Sequence, residues 1–193
     1  MLDDIRADID RQSYPNYDAW LLVLLTKRGL WAICQYRVSR WVHLHVHLPV
    51  IREILKVFCA LWQLLIEIVS GIELPNRAEI GKGLLIPHSY GIVIHSEAKI
   101  GEYCNLGHNV TIGIAGREGN RGVPRLGDRV YIAPGAKIFG AITIGNDVAI
   151  GANAVVTKDL PDNAVAVGIP AKVISYKGSQ DFIIDFKFSD KDE

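Results

Sequence analysis

An aliphatic residue recurs every six positions between residues 74 and 156, with two interruptions. A glycine often follows it directly, as at Gly81, and a small or aliphatic residue often comes four positions after it, as at Ala78. Such a period is typical of a parallel β-helix, in which each hexad forms one short strand and one turn. We therefore predict a triangular prism with coils of about 18 residues. Its predicted inward row is Leu74, Ile80, Ile86, Ile94, Ile100, Leu106, Ile112, Leu126, Ile132, Ile138, Ile144, Ile150 and Val156.

Two segments interrupt the six-residue period. The first is a two-residue slip at Ile92 and Val93, and the second is residues 114–125, IAGREGNRGVPR, which are too polar and glycine-rich for a core. The second segment is either a tolerated surface excursion or a loop that reaches toward a neighbouring subunit's site. A regular prism has few concavities, so pockets form best between prisms with loops as walls, and we favour the second interpretation.

Residues 1–72 follow the helical period instead, which predicts an α-helical N-terminal domain. Its first helix runs along Leu2, Ile5 and Ile9 and is broken by Pro15. Two further helices are predicted over residues 30–44, with Arg37 and Arg40 on the polar side, and over residues 50–70, after Pro49.

The last of these helices is strongly apolar. Its charge-free run from Val57 to Ile66 is too short to cross a bilayer, which needs roughly 20 residues. Either it packs within the domain and against sister subunits, or it rests on a membrane surface. Flanking charges of both signs, including Arg52, Glu53 and Lys56, favour the buried interface.

The composition indicates one mainly β fold with a helical appendage. The chain has 193 residues, 49% of them hydrophobic, and is divided into residues 1–72, a β-helix over 73–175 and a tail over 176–193. Lys plus Arg equals Asp plus Glu at 21 each, so nothing indicates a nucleic-acid partner. Three cysteines without a CxxC pair, and a polar acidic N-terminus, favour a cytoplasmic location, with the inner face of the membrane as the alternative.

Several motifs carry a family resemblance. HSYGIVIHSEAKIG is followed by NVTIG, a Gly-rich loop and GAKIFGAITIGNDVAIGANAVVTKDLPDNAVAVGIPAKVI, and GLWAICQYRVSRW precedes them. Over roughly residues 15 to 175 the chain resembles the serine O-acetyltransferases of the hexapeptide-repeat superfamily. The resemblance implies a left-handed parallel β-helix that forms a homotrimer, with acetyl-CoA bound between neighbouring prisms. Some members of the family also pair two trimers through the helical domain.

His88 is the predicted catalytic base. Acetyl transfer from a thioester to an alcohol needs one group that removes the hydroxyl proton and then protonates the leaving thiolate, and an imidazole does both. His88 lies beside the slip, where a coil corner presents a side chain outward, and the family's catalytic histidine falls on this position. The family also has a carboxylate fifteen residues earlier that orients the imidazole. Here that residue is Glu73, which we expect about one coil below His88. The alternative for His88 is an ordinary histidine in a surface turn. The alternative for Glu73 is a solvated charge at the start of a strand.

His108, Tyr90 and Arg121 are the predicted acceptor-binding residues. His108 aligns with a His or Gln near the family's site, where it contacts the acceptor or the pantetheine or replaces His88 as the base. His95 is expected to be peripheral. Cys104 falls on an inward position, which favours burial over an acyl-enzyme role.

The remaining histidines, His43, His45 and His47, alternate along HLHVHL. Alternation fits either a metal tract or an extended connector, and no Cys or acidic residue lies near them. We interpret them as structural and predict no metal.

Small residues mark the predicted cofactor groove. The steps IAPGA and IGANA allow a pantetheine arm to run close to the backbone. In the family Gly113, Ala133 and Ala152 line the CoA groove. Lys158 and Lys172 are predicted to meet the CoA phosphates, although either is equally an ordinary surface lysine.

Departures from the family pattern concern the acceptor. Residues with which the family binds the amino acid's ammonium and carboxylate are here Tyr14, Pro87 and Val123. The chain ends Lys-Asp-Glu rather than in the Ile that docks serine acetyltransferases into cysteine synthase, so no such complex is expected. Similar short relatives in exopolysaccharide and capsule pathways acetylate sugar hydroxyls. We therefore predict an acetyl-CoA-dependent O-acetyltransferase of that branch, acting on a saccharide.

Two alternatives stay open. One is an L-serine O-acetyltransferase of cysteine biosynthesis. The other is a non-catalytic or metal-binding β-helix trimer with ligands among His88, His95 and His108. Their spacings of seven and thirteen residues do not match a simple stacking on coils, so the metal interpretation ranks last.

Overall fold

The computed structural model describes residues 1–13, 25–117 and 121–183. Helices α1 (Leu2–Ser13), α2 (Arg28–His45) and α3 (Pro49–Ser70) come first. Short strands follow: β1 Ile72–Glu73, β2 Glu79–Ile80, β3 Ile92–Ile94, β4 Lys99–Ile100, β5 Asn105–Leu106, β6 Thr111–Gly113, β7 Arg125–Leu126, β8 Tyr131–Ile132, β9 Lys137–Phe139, β10 Thr143–Ile144, β11 Ala149–Ile150, β12 Val155–Val156, β13 Val165–Val167 and β14 Lys172–Ser175.

The strands form the three faces of a left-handed parallel β-helix. Sheet A has the order β1-β3-β6-β9-β12, sheet B β10-β7-β4-β2, and sheet C β14-β13-β11-β8-β5. Among the named strands of the described residues, all pairs are parallel except β13 with β14. The chain visits the sheets in the order A, B, C, so each coil ends at a turn from sheet C back to sheet A. The predicted fold is confirmed.

The hydrophobic core is the interior of this prism. Every residue of the predicted inward row is at most 7% exposed. Ala78, Val110 and Val148, which stand four positions after members of that row, are fully buried. Both sets face inward because side chains alternate between the two faces of a strand, and each corner turn restores the same phase.

The coils differ in length. The second predicted interruption is confirmed, whereas the slip was placed wrongly at Ile92 and Val93, because both lie in β3 and pair with β1, and the extra residues come just before them, within residues 87–91. Val93 pairs with Thr111, so the coil between them has the length that three hexads give. The coil from Ile72 to its partner Ile92 is longer, because residues 87–91 make a longer corner before β3. The coil from Thr111 to its partner Lys137 is longer still, because it contains the excursion after β6. Both additions leave the prism intact because they lie at corners.

Helix α1 is present as predicted, but it buries its polar face. Leu2 is 74% exposed, whereas Asp8, Arg11 and Gln12 are buried. The Arg11 guanidinium donates to the carbonyl of Gly83 at 2.6 Å. The Gln12 amide donates to the carbonyl of Ile86 at 3.3 Å. Buried carbonyls need partners, and those of the first coil have no earlier coil to pair with.

Arg37 of α2 also binds carbonyls of the first coil. We call Asp8, Arg11, Gln12 and Arg37 together the capping network. It is 5% exposed, and its Nε donates to Asp8 Oδ2 at 2.9 Å. Two further N–H groups donate to the carbonyls of Ile80 and Gly81, each at 2.6 Å. Asp8 also accepts the backbone N–H of Leu84 at 2.8 Å. The predicted polar side of α2 therefore faces the prism end at Arg37 and not the solvent.

Helix α3 leaves a long apolar stripe uncovered in the single chain. Six large side chains along it are between 48% and 71% exposed and follow alternating intervals of three and four residues, namely Ile51, Ile54, Phe58, Leu61, Leu65 and Ile68. Within the described ranges no helix combines the length and apolar character needed to cross a membrane. The predicted cellular location stays a prediction.

The histidine tract is mostly helical. His43 and His45 lie in the last turn of α2, and only His47 lies in the connector to α3. The extended connector predicted for all three is wrong for the first two. Helix α2 packs along α3 and continues through both histidines.

Candidate active site

His88 and His108 lie together at the turn from sheet C to sheet A, here called the C–A corner. Leu85 bridges to Asn105, so the residues after them occupy matching places in consecutive coils. The two imidazole rings are 6.1 Å apart between centroids and meet edge to face at 81°. Both histidines are exposed in the single chain. The structure thus brings the predicted base and a predicted acceptor residue to one surface.

This pairing corrects the spacing argument against stacked histidines. His88 and His108 do occupy one corner in successive coils, because the slip lies between them and lengthens that coil beyond three hexads. His95 lies apart from them beyond β3, where its Nδ1 accepts the backbone N–H of Glu97 at 3.2 Å. In the described part of the chain, no group of three or more His, Cys, Asp or Glu residues could hold a metal ion.

Glu73 is exposed on the outer face of β1 and is not directly beneath His88. Its partner one coil on is Val93, which lies beyond His88 in β3. The expected layer relation was off because His88 lies at the corner before β3, whereas Glu73 pairs within β3. The role of Glu73 as the orienting carboxylate stays a prediction.

An open cleft of about 440 Å³ lies beside His88. One wall is the C–A corner, and the other is the start of helix α2. The eight lining residues are Thr26, Lys27, Arg28, Gly29, Pro87, His88, Ser89 and Tyr90. Tyr90 has a positive φ of 86°, and its hydroxyl accepts a hydrogen bond from Arg28 Nη1 at 2.7 Å.

The cleft wall from α2 was not predicted from the sequence. Lys27, Arg28 and Gly29 lie far from His88 in sequence, and no local pattern links the two segments. The one available signal was the glycine at the helix start. A Cβ on Gly29 would overlap the carbonyl oxygen of Ile86, so only glycine allows α2 to approach the corner this closely.

The predicted cofactor residues divide between two corners. Ala133 and Ala152 lie at the C–A corner, one and two coils beyond His108. Gly113 is the last residue of β6 in sheet A, Lys158 lies at the following turn from sheet A to sheet B in a later coil, and Lys172 lies apart from both in β14. Ala152 and both lysines are exposed, whereas Ala133 is buried.

Gly113 also has a structural reason to be glycine. A Cβ there would lie 2.6 Å from the Phe139 ring, so a larger residue would require that ring to move. Arg121 is exposed at the edge of the excursion, next to a two-way hydrogen-bonded bridge between Ala115 and Gly122. Of the residues noted as departures, Pro87 and Val123 are described, whereas Tyr14 lies outside the described residues.

Cys104 is buried inside the prism, as predicted. Burial raises the pKa of its thiol to about 12, which keeps it protonated at neutral pH. Burial also raises the pKa of the Cys34 thiol to about 11. Thiolates are the nucleophilic form, so neither group is suited to carry an acyl intermediate.

Comparison with known proteins shows which family the chain belongs to. No family model matches the chain. Serine acetyltransferase from Helicobacter pylori strain J99 is 41% identical over 153 residues, which cover 79% of this chain and 85% of that protein. The chain belongs to the serine acetyltransferase family. Serine acetyltransferase from Mycobacterium tuberculosis is 36% identical over 174 residues, covering 90% and 72% of the two chains.

Solved structures of serine acetyltransferases share the fold. That of the Brucella abortus enzyme in complex with coenzyme A superposes with a TM-score of 0.78 at 28% identity, covering 92% of this chain and 68% of that one. This serine acetyltransferase homologue is an acetyl-CoA-dependent O-acyltransferase, and acetyl-CoA is its co-substrate. The predicted placement in an exopolysaccharide or capsule branch finds no support, because the matched relatives carry the name serine acetyltransferase.

Proposed function

We propose that this protein transfers the acetyl group of acetyl-CoA to the hydroxyl of L-serine, with His88 as the general base. The observation that carries the proposal is an exposed imidazole at a β-helix corner, beside an open cleft, in a chain 41% identical to a named serine acetyltransferase. The comparisons favour serine over the saccharide acceptor predicted from the departures at Pro87 and Val123.

The proposed reaction balances with one imidazole. His88 takes the proton from the serine hydroxyl as the oxygen attacks the thioester carbonyl carbon. The tetrahedral intermediate then expels the CoA sulfur, and the imidazolium returns the proton to that thiolate. The products are O-acetylserine and CoA. Glu73 is proposed to hold the imidazole in its productive orientation, and His108 to contact the acceptor or the pantetheine.

The test is an acceptor comparison with purified protein. Acetyl-CoA is mixed with L-serine, a neutral hexose, a nucleotide-linked sugar or no acceptor, and release of the CoA thiol is followed. We expect serine to raise thiol release far above the background without acceptor, and mass spectrometry to find O-acetylserine. Turnover of a sugar with none of serine would restore the saccharide prediction.

We also propose a homotrimer with acetyl-CoA held between prisms, and pairing of trimers through the α3 stripe. The stripe alternates three- and four-residue intervals over three heptads, as a helix that packs on a helix does. A membrane surface requires no such register, and Arg52, Glu53, Lys56 and Glu67 give α3 no excess of basic charge. A second copy of the chain is therefore the proposed occupant.

Light scattering tests this assembly. We expect wild type to contain six chains, and Phe58→Glu to contain three, because a charge in the stripe cannot be buried without a partner. The control is Lys56→Glu, on the same helix outside the stripe, which should keep six chains. An unchanged mass for Phe58→Glu, or binding of wild type to phosphatidylcholine vesicles that this variant loses, would contradict the proposal.

A further inference from the structure

The cleft beside His88 is positively charged. Lys27 and Arg28 supply two cations, and none of its described lining residues is acidic. In the described part of the chain neither cation forms an ion pair with a carboxylate. A concave surface with two cations and no anion favours a negatively charged ligand.

The position of these cations is set by backbone packing rather than by a flexible loop. Gly29 is buried against the carbonyl of Ile86, the residue two before His88. Leu30, the next residue, is fully buried as well. The start of α2 is therefore anchored to the same corner that carries the predicted base, and Lys27 and Arg28 are held at its rim.

Tyr90 holds the Arg28 guanidinium in place. Besides the hydrogen bond to the phenol oxygen, the guanidinium carbon lies 5.7 Å from the centre of the Tyr90 ring. This contact uses one of the five N–H donors of the guanidinium, which leaves a planar fork that matches a carboxylate. Arginine–carboxylate pairs are both stronger and more directional than lysine–carboxylate pairs.

We propose that Arg28, assisted by Lys27, binds the carboxylate of the acceptor and places its hydroxyl at His88. The inference rests on the proposed function and deepens it, because it makes the acceptor a small hydroxy acid. It also explains how the acceptor is bound although Pro87 and Val123 replace residues with which the family binds the amino acid. The carboxylate is bound from the helical wall of the cleft rather than from those positions. Tyr90 acts as a positioning residue for Arg28.

The experiment measures selectivity between L-serine and L-serinamide, which lacks the carboxylate charge. We expect the wild-type kcat/KM to favour serine strongly, and Arg28→Ala to reduce that preference by about 10- to 100-fold, the scale of a lost hydrogen bond to a charged group. Lys27→Ala should reduce it less, and Tyr90→Phe should reduce it through the lost contact to Arg28. Because both substrates are measured on one preparation, partial unfolding cancels from the ratio.

The matched control is Arg6→Ala, an exposed arginine of α1 outside the cleft, which should leave the ratio unchanged. If Arg28→Ala keeps the full preference for serine, the proposed carboxylate site is wrong while the serine activity stands. If wild type does not use serine, D-glycerate is compared with glycerol. A preference for glycerate that Arg28→Ala loses keeps the site and rejects serine as the acceptor, whereas no preference rejects both.

Discussion

Replacement of His88 by alanine is expected to lower kcat by at least about a hundredfold, the usual scale for a lost general base. The serine hydroxyl then has no group to take its proton, while the fold is unaffected because His88 is exposed at a corner. The measurement is steady-state thiol release with acetyl-CoA and serine. Circular dichroism and light scattering should show the same fold and assembly as wild type.

His108→Ala is the matched comparison, since it removes the other imidazole of the corner pair. We expect a smaller loss than for His88, seen mainly in KM for serine. Near-normal kcat in the His88 variant together with a large loss in the His108 variant would move the base to His108. Glu73→Gln should cost less than the loss of the catalytic histidine, because orientation rather than proton transfer is lost.

Asp8→Ala is expected to destabilise the protein by about 3–5 kcal/mol, the scale for breaking a buried ion pair from one side. The change leaves the Arg37 guanidinium buried without its carboxylate and removes the acceptor of the Leu84 N–H. Urea unfolding followed by circular dichroism measures the effect as a lower midpoint at an unchanged slope.

The control for this prediction is Asp10→Ala, an exposed carboxylate two residues away on the same helix. Its unfolding midpoint should stay close to wild type, because surface charges contribute little. Equal midpoints for both variants would mean that the Asp8–Arg37 pair does not hold the helices onto the prism.

The fold of the repeat region could be predicted from the sequence because each short segment determines its own strand and turn. Each coil repeats the same strand and turn, so the period alone placed the inward row, from Leu74 to Val156, in the core. The resemblance added what no period carries, namely the role expected of His88. The structure sets His88 beside His108 and an open cleft, and its catalytic role stays a prediction.

The buried faces of the helices were harder to predict, because they contact residues far away in the sequence. Leu2, Ile5 and Ile9 predicted the helix but not that Asp8 and Arg11 would be its buried residues, since the partners lie in the first coil. The same holds for the cleft wall, where Lys27 and Arg28 reach His88 only through tertiary packing. Hydrophobic periodicity predicts the apolar face of a helix, but it does not predict which polar side chains are buried by their hydrogen bonds.

The capping network has a consequence for solubility. A bare end of a parallel β-helix presents backbone groups in register for one more coil, which any other prism could supply, and stacking of that kind continues without limit into fibres. Here the guanidinium groups of Arg11 and Arg37 occupy those carbonyls first. The helices thus cover this end of the β-helix and prevent another prism from stacking on it.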